Sequence, residues 1–248
     1  MKQLNKVASI TLLFWLMKVV ATTLGETLGD FISMTLHYGY AVGLVITLFF
    51  FIGALLIQIN AKEYKPVKYW FVIISTTTLG TEISDFIDRT LHMGYLLGSI
   101  LLATCLAACL LIWFRKYHNL EVYPIIERNK ELLFWTAVLF SNSLGTAFGD
   151  FLSDNLGLSY LHGALVTGII ILLVVLLHYF TKLNQILLFW IAFIFTRPFG
   201  ATFGDFLTKP LMKGGLELGT LNASLVSFFL MAVMIIINHK KTVLNQLK

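Results

Sequence analysis

Charge is the scarcest commodity in this 248-residue chain: only 12% of its residues are Asp, Glu, Lys or Arg. A soluble domain of this length carries about twice that share, so a freely soluble globular protein is excluded. Cysteine is nearly absent. The two present, Cys105 and Cys109, lie four apart inside an apolar run, which leaves no disulfide framework and no thiolate metal site. They read as two small hydrophobic side chains. None of the polar connections contains a glycine-rich phosphate loop, so a nucleotide-driven machine is not expected. Nor does any long polar stretch provide a catalytic or binding domain outside the apolar segments. What fills the chain instead is hydrophobic: 58% of residues, with a mean hydropathy of +0.83. Apolar runs resume after short polar breaks, the pattern of a polytopic helical bundle. The first run, from about Val7, has the length of a signal peptide but no small-residue cleavage site, and it continues into an acidic motif. It is expected to be a true span.

That motif, Gly25-Glu26-Thr27-Leu28-Gly29-Asp30-Phe31, returns at Gly80–Phe86, Gly145–Phe151 and Gly200–Phe206. Aligning Asp30, Asp85, Asp150 and Asp205 also aligns Trp15, Trp70, Trp135 and Trp190, each 15 residues upstream. At about 20 residues per span, the chain predicts eight transmembrane helices, at roughly 7–33, 41–59, 67–89, 95–114, 131–154, 161–180, 185–208 and 219–238. The expected fold is therefore an all-α integral membrane protein forming one transmembrane domain. Its four helical-hairpin repeats cover 7–59, 67–114, 131–180 and 185–238. Two spans per repeat make the repeats parallel. Successive aspartates are 55, 65 and 55 residues apart, so an insertion, Arg115 to Glu131, divides the chain into two halves. The halves differ: Thr-Leu-His and Gly-Tyr follow the motif in the first two repeats, which also add Glu26 or Glu82, whereas the last two share Phe-Gly-Asp-Phe-Leu.

Lysine and arginine set the orientation. Thirteen fall at the termini and in the connections between hairpins, against Arg89, Lys209 and Lys213 in the opposite loops. Both termini are expected to be cytoplasmic. The net charge of +5 is then a topology signal and not a nucleic-acid footprint. From Lys68 to Asp85 the helix rises about 25 Å, which places the motif in the outer part of a core about 30 Å thick.

An ionised carboxylate facing lipid is unfavourable, so acids within spans face a bundle interior or a wet cavity and are functional by default. Six are candidates here: Glu26, Asp30, Glu82, Asp85, Asp150 and Asp205. Glu26/Asp30 and Glu82/Asp85 each share a helix face. Gly25/Gly29, Gly80/Ser84, Gly145/Gly149 and Gly200/Gly204 are small-xxx-small pairs that let helices approach closely. Clustered acids need counter-charge. Arg197 offers it, at the position that is Thr22, Thr77 and Asn142 in the other repeats, with Pro198 next to it as a predicted kink. Lys18 offers more, deeper in the first helix. Hydroxyl and amide groups at Thr22, Thr77 and Asn142 would supply hard oxygen ligands, a set suited to Mn²⁺, Mg²⁺, Ca²⁺ or protons. The tryptophans read as interfacial or packing anchors. His37 and His92 are auxiliary candidates at the outer membrane edge, as metal ligands, pH sensors or plain interface residues. Asp88 and Asp154 are expected to face the loops. No catalytic residue and no cofactor is expected.

The repeated Gly-Asp-Phe hairpins resemble a group of uncharacterised bacterial multi-spanning proteins described as membrane-anchored. The resemblance covers nearly the whole chain and implies the bacterial inner membrane. Glu26-Thr27-Leu28-Gly29-Asp30 also resembles the Glu-x-Gly-Asp element of bacterial manganese or calcium exporters, with one more residue between Glu and Gly; the last two repeats lack the glutamate. That likeness implies hard-cation chemistry. An intramembrane aspartyl protease has Gly-x-Gly-Asp, whereas Thr27, Glu82, Ala147 and Thr202 stand three residues before the aspartates here. The leading expectation is a secondary transporter of a divalent cation such as manganese, with proton exchange as its natural coupling. A cation channel and a non-transporting scaffold or sensor are the alternatives. The expected partners are the bilayer and an inorganic cation, not nucleic acid, with homo-oligomerisation left open.

Overall fold

The computed structural model describes residues 5–246, with side chains to residue 241. Its long helices are α1 (Leu12–Asp30), α2 (Gly39–Ile59), α3 (Pro66–Asp85), α4 (Gly94–Tyr117), α5 (Arg128–Asp150), α6 (Tyr160–Phe180), α7 (Gln185–Thr208) and α8 (Thr220–Gln246). No strand occurs among the described residues. Seven helices are long and apolar enough to cross a membrane; α3 falls short. It carries Lys68, Glu82, Asp85 and the run Ser75-Thr76-Thr77-Thr78, and it is buried along most of its length. Protein surrounds this helix on most sides, so its polar groups find partners within the fold.

α1, α3, α5 and α7 form a closed ring in which each packs on two neighbours. The outer helices are offset by one position: α2 packs on α3, α4 on α5, α6 on α7, and α8 returns to α1. A repeat is thus a hairpin in sequence, but its second helix covers the next repeat's first. The long connection between α4 and α5 opens no seam, because α3 and α5 pack as the other ring neighbours do. Outward faces of the outer helices remain apolar, with Phe49, Phe50, Phe228 and Phe229 all exposed. A belt of that kind is stable against lipid and not against water.

The ring closes because of its glycines. A Cβ added at Gly25 would collide with Thr77, at Gly80 it would meet Asn142 at 3.0 Å, at Gly145 it would collide with Arg197, and at Gly200 with Thr22. Each glycine receives the residue three positions before its counterpart in the next repeat, and the last hands on to the first. Removing four side chains is what brings the four backbones together.

The four inner helices run parallel, gathering the tryptophans at one end and the aspartates at the other. Trp70, Trp135 and Trp190 are buried with Trp113, and they join Phe14, Tyr69, Phe134 and Phe189 in edge and tilted contacts. Of the two readings for these residues, packing is the one seen. The first helix begins at Leu12, not near Val7, because Thr11 caps it by accepting from the Phe14 N–H. Residues 5–11 fold under the aromatic end. Lys6 donates to the Ile59 carbonyl and to Glu131 Oε2, at 2.9 and 3.0 Å, and the Lys6 N–H bonds to the Ile125 carbonyl within the insertion.

At the other end, Asp30, Asp85 and Asp150 each lead into a five-residue π-helical turn: Phe31–Thr35, Phe86–Thr90 and Phe151–Asn155. The fourth repeat has none. α7 continues through Pro198 to Thr208 and stops before Pro210, after which Leu211–Lys213 make a single 3-10 turn.

Candidate cation site

All four aspartates are buried at the end of the ring opposite the tryptophans, and two basic residues sort them into pairs. Lys209 Nζ lies 2.5 Å from Asp30 Oδ2 and 3.2 Å from Asp205 Oδ1. Arg89 places Nε 3.1 Å from Asp85 Oδ1 and Nη2 3.0 Å from Asp150 Oδ2. Both bases stand four residues after an aspartate, on the next turn of the same helical face. The corresponding residues in the other two repeats are Met34 and Asp154. The sequence signal is therefore a cation at the fourth position after the aspartate in alternate repeats. By position along the chain Arg89 and Lys209 count as loop charges that set topology; in the fold they return to the acids.

Glu26 joins only one of these pairs. Oxygens of Glu26, Asp30 and Asp205 come within 4.8 Å of one another, close enough to hold one metal ion. Below them Arg197, fully buried, reaches across the ring from α7 to α3: its Nη2 donates to Glu26 Oε2 at 2.9 Å and to Thr81 Oγ1 at 2.6 Å. Its partner among the acids is thus Glu26 and not Asp205 on its own helix. A second crossbar spans the other diagonal. Lys18 on α1 donates to Asn142 Oδ1 on α5 at 3.0 Å, and Asn142 Nδ2 donates to Thr76 Oγ1 at 3.0 Å. Lys18 Nζ also lies 4.2 Å from the centre of the Phe193 ring. As a counter-charge to the acids Lys18 is corrected, since among the described residues it makes no ion pair. Together the crossbars fill the ring's axis between the acidic and aromatic ends.

Glu82 is not equivalent to Glu26. It stands three residues before its aspartate and Glu26 four, and one residue is about 100° of helix rotation. Thr81 occupies the place matching Glu26, while Glu82 turns outward against Gly43 of α2, where a Cβ would come within 2.5 Å of its carboxylate. Both Glu82 oxygens are buried, beside the Ser33 hydroxyl. Asp88, expected to face the loop, is buried instead; it accepts from Ser84 Oγ at 3.2 Å and sits under Gly98 of α4. Asp154 is exposed as expected.

Thr22 and Thr77 direct their hydroxyls to backbone carbonyls, including Thr196 at 3.3 Å and Ala21 at 3.1 Å on neighbouring helices. They wedge the ring at its glycine crossings and lie off the carboxylate cluster. His37 and His92 are exposed in the turns after the π segments, at φ of 57° and 56°. That left-handed conformation is one that histidine tolerates better than most residues, and it places both outside the cluster. Of the twelve residues singled out in the sequence, the structure brings Glu26, Asp30 and Asp205 to one point, Asp85 and Asp150 to a second, and Arg197 beneath the first. Cys105 and Cys109 are free thiols on α4, remote from both in sequence.

Four consecutive segments, 13–64, 68–118, 133–184 and 188–242, match one family model, described as Repeat of Unknown Function (DUF347). Each covers most of one helix pair. The chain belongs to that repeat family. No curated protein and no solved structure matches it.

Proposed function

We propose that this four-repeat chain is a secondary transporter of an inorganic cation, with Glu26, Asp30 and Asp205 as its binding site. In this reading all eight helices span the bilayer of a bacterial inner membrane, α3 included, with both termini cytoplasmic. The observation that carries the proposal is the convergence of three buried carboxylates within 4.8 Å in the interior of a helical ring. Oxygen-only ligands favour a hard ion. Charge favours a divalent one, since Arg197 balances Glu26 and leaves two aspartates to be neutralised. Manganese, magnesium and calcium fit that description, and exchange against protons would supply the driving force.

The crossbars Lys18–Asn142 and Arg197–Thr81 count against a continuously open channel, because both lie across the axis that ions would follow. They suit alternating access, in which one end opens at a time. A non-transporting scaffold keeps one specific observation in its favour: Lys209 and Arg89 already supply a cation to each aspartate pair.

Proteoliposomes loaded with a Mn²⁺-sensitive dye separate the readings. The wild-type chain should admit Mn²⁺ when a pH gradient is imposed, and Asp30→Asn with Asp205→Asn should abolish the signal. Flux that is unchanged in the double variant would sink the site. Uncoupled flux with no dependence on the gradient would favour a channel, and no flux from any variant would favour the scaffold.

A further inference from the structure

Resting on that cation-site reading, we infer that Lys209 is a built-in competitor: its ammonium occupies the place of the divalent cation and must swing away before the ion is held. The amino group lies between Asp30 and Asp205, two of the three residues whose oxygens converge. An acidic cluster alone says little about ligands. Here the cluster already holds a cationic group, and that group belongs to a side chain able to leave.

Departure needs no backbone movement. The Lys209 N–H is fixed to the Asp205 carbonyl at 2.8 Å, and its own carbonyl accepts from the Glu217 N–H at 3.1 Å. The following loop is tied back as well, Leu216 N–H to Phe206 and Leu218 N–H to Leu207, at 2.7 and 3.0 Å. Only the four-carbon stem has to rotate, and that stem is flexible. The side chain is 21% exposed, so part of its stem borders solvent. Among the described residues the further hydrogen-bond partner of its amino group, besides the aspartates, is Met34 Sδ, at 3.9 Å, a weak acceptor that scarcely restrains it.

Charge gives the exchange a direction. One ammonium offers a single positive charge to two carboxylates, whereas a divalent ion offers two and can accept both as ligands. Met34 occupies the corresponding position of the first repeat, so a neutral side chain fits that turn of the fold. Lys209→Met is therefore the natural way to remove the competitor, with Lys209→Gln as a second neutral variant.

The test is Mn²⁺ binding to the purified full chain, read by the electron paramagnetic resonance of free Mn²⁺. A site blocked most of the time binds with an affinity reduced by the open fraction, so Lys209→Met should bind Mn²⁺ about tenfold tighter or better. Lys209→Arg, which keeps the charge, should bind no tighter than wild type. Lys213→Met, an exposed lysine four residues on, controls for loss of charge alone and should change affinity by about twofold at most at physiological salt. Adding Asp30→Asn to Lys209→Met should remove the gain. If Lys209→Met and Lys209→Gln bind no tighter than Lys213→Met while wild type still binds, the competitor is disproved and the cation site survives. If the gain persists without Asp30, the ion is not taking the ammonium's place, which also overturns the inference. Absence of Mn²⁺ binding in every form would overturn the cation site itself.

Discussion

The two corners of the acidic end look alike in the repeat and differ in chemistry. Each is a pair of aspartates from neighbouring inner helices joined by a base four residues after one of them. At the Arg89 corner the guanidinium is fixed on several sides. It meets Asp85 and Asp150, donates from Nη1 to the Tyr40 hydroxyl at 3.1 Å, and lies 5.6 and 5.7 Å from the rings of Tyr40 and Tyr95. A planar group with five donors held by two acids, a hydroxyl and two aromatic faces is a clamp. At the Lys209 corner a single amino group meets two acids and a thioether. Only this corner has a third acid, Glu26, and a second base, Arg197, below it. A ring that is fourfold in its backbone is thus one-sided in its chemistry: one corner is clamped, and the other holds a single flexible ammonium, the group proposed to give way to a cation.

Removing Arg197 should produce the largest effect on that contrast. Arg197→Met leaves Glu26 buried without its partner and should cost about 3–5 kcal/mol of stability, read by calorimetry in detergent micelles. Adding Glu26→Gln should restore much of it. A single variant that melts like wild type would show that Glu26 is not held by Arg197. Next comes the clamp itself. Arg89→Met should destabilise by about 1–3 kcal/mol, and Lys209→Met by less, because fewer groups lose a partner. Equal losses, or the reverse order, would erase the distinction between brace and exchangeable cation. The smallest change is Tyr40→Phe, which removes the hydroxyl that accepts from Arg89 and should cost about 1 kcal/mol. It should leave Mn²⁺ binding unaltered; a change in affinity there would mean that the corners communicate.

Much of this architecture was legible in the chain because it repeats. The tryptophan-to-aspartate spacing placed both ends of the inner helices, and Gly25, Gly80, Gly145 and Gly200 announced their close approach. The errors have a common origin in angle and distance across helices. Glu26 and Glu82 differ by one position in the repeat, which along a line is trivial and around a helix is the difference between the ring's interior and the α2 seam. Arg89 and Lys209 lie beyond the apolar runs, where a count of loop charges hides their return toward the aspartates. Lys18 shares a helix with Asp30 and Glu26, yet its hydrogen bond runs across the ring to Asn142. The start of α1 at Leu12 depended on Thr11 as a cap and on a segment that folds back beneath the aromatic end.

The sequence by itself determined the apolar helical class, the four repeats and the set of acids, because hydropathy, spacing and residue type are properties of neighbours along the chain. The tertiary structure decided that the repeats interleave into a ring, and that Lys209 and Arg89 divide the aspartates into two pairs. It also decided that Glu26 and not Glu82 completes a three-carboxylate cluster. Those outcomes depend on which faces meet across a ring of four helices, and a rotation of about 100° per residue makes that a matter of packing in three dimensions.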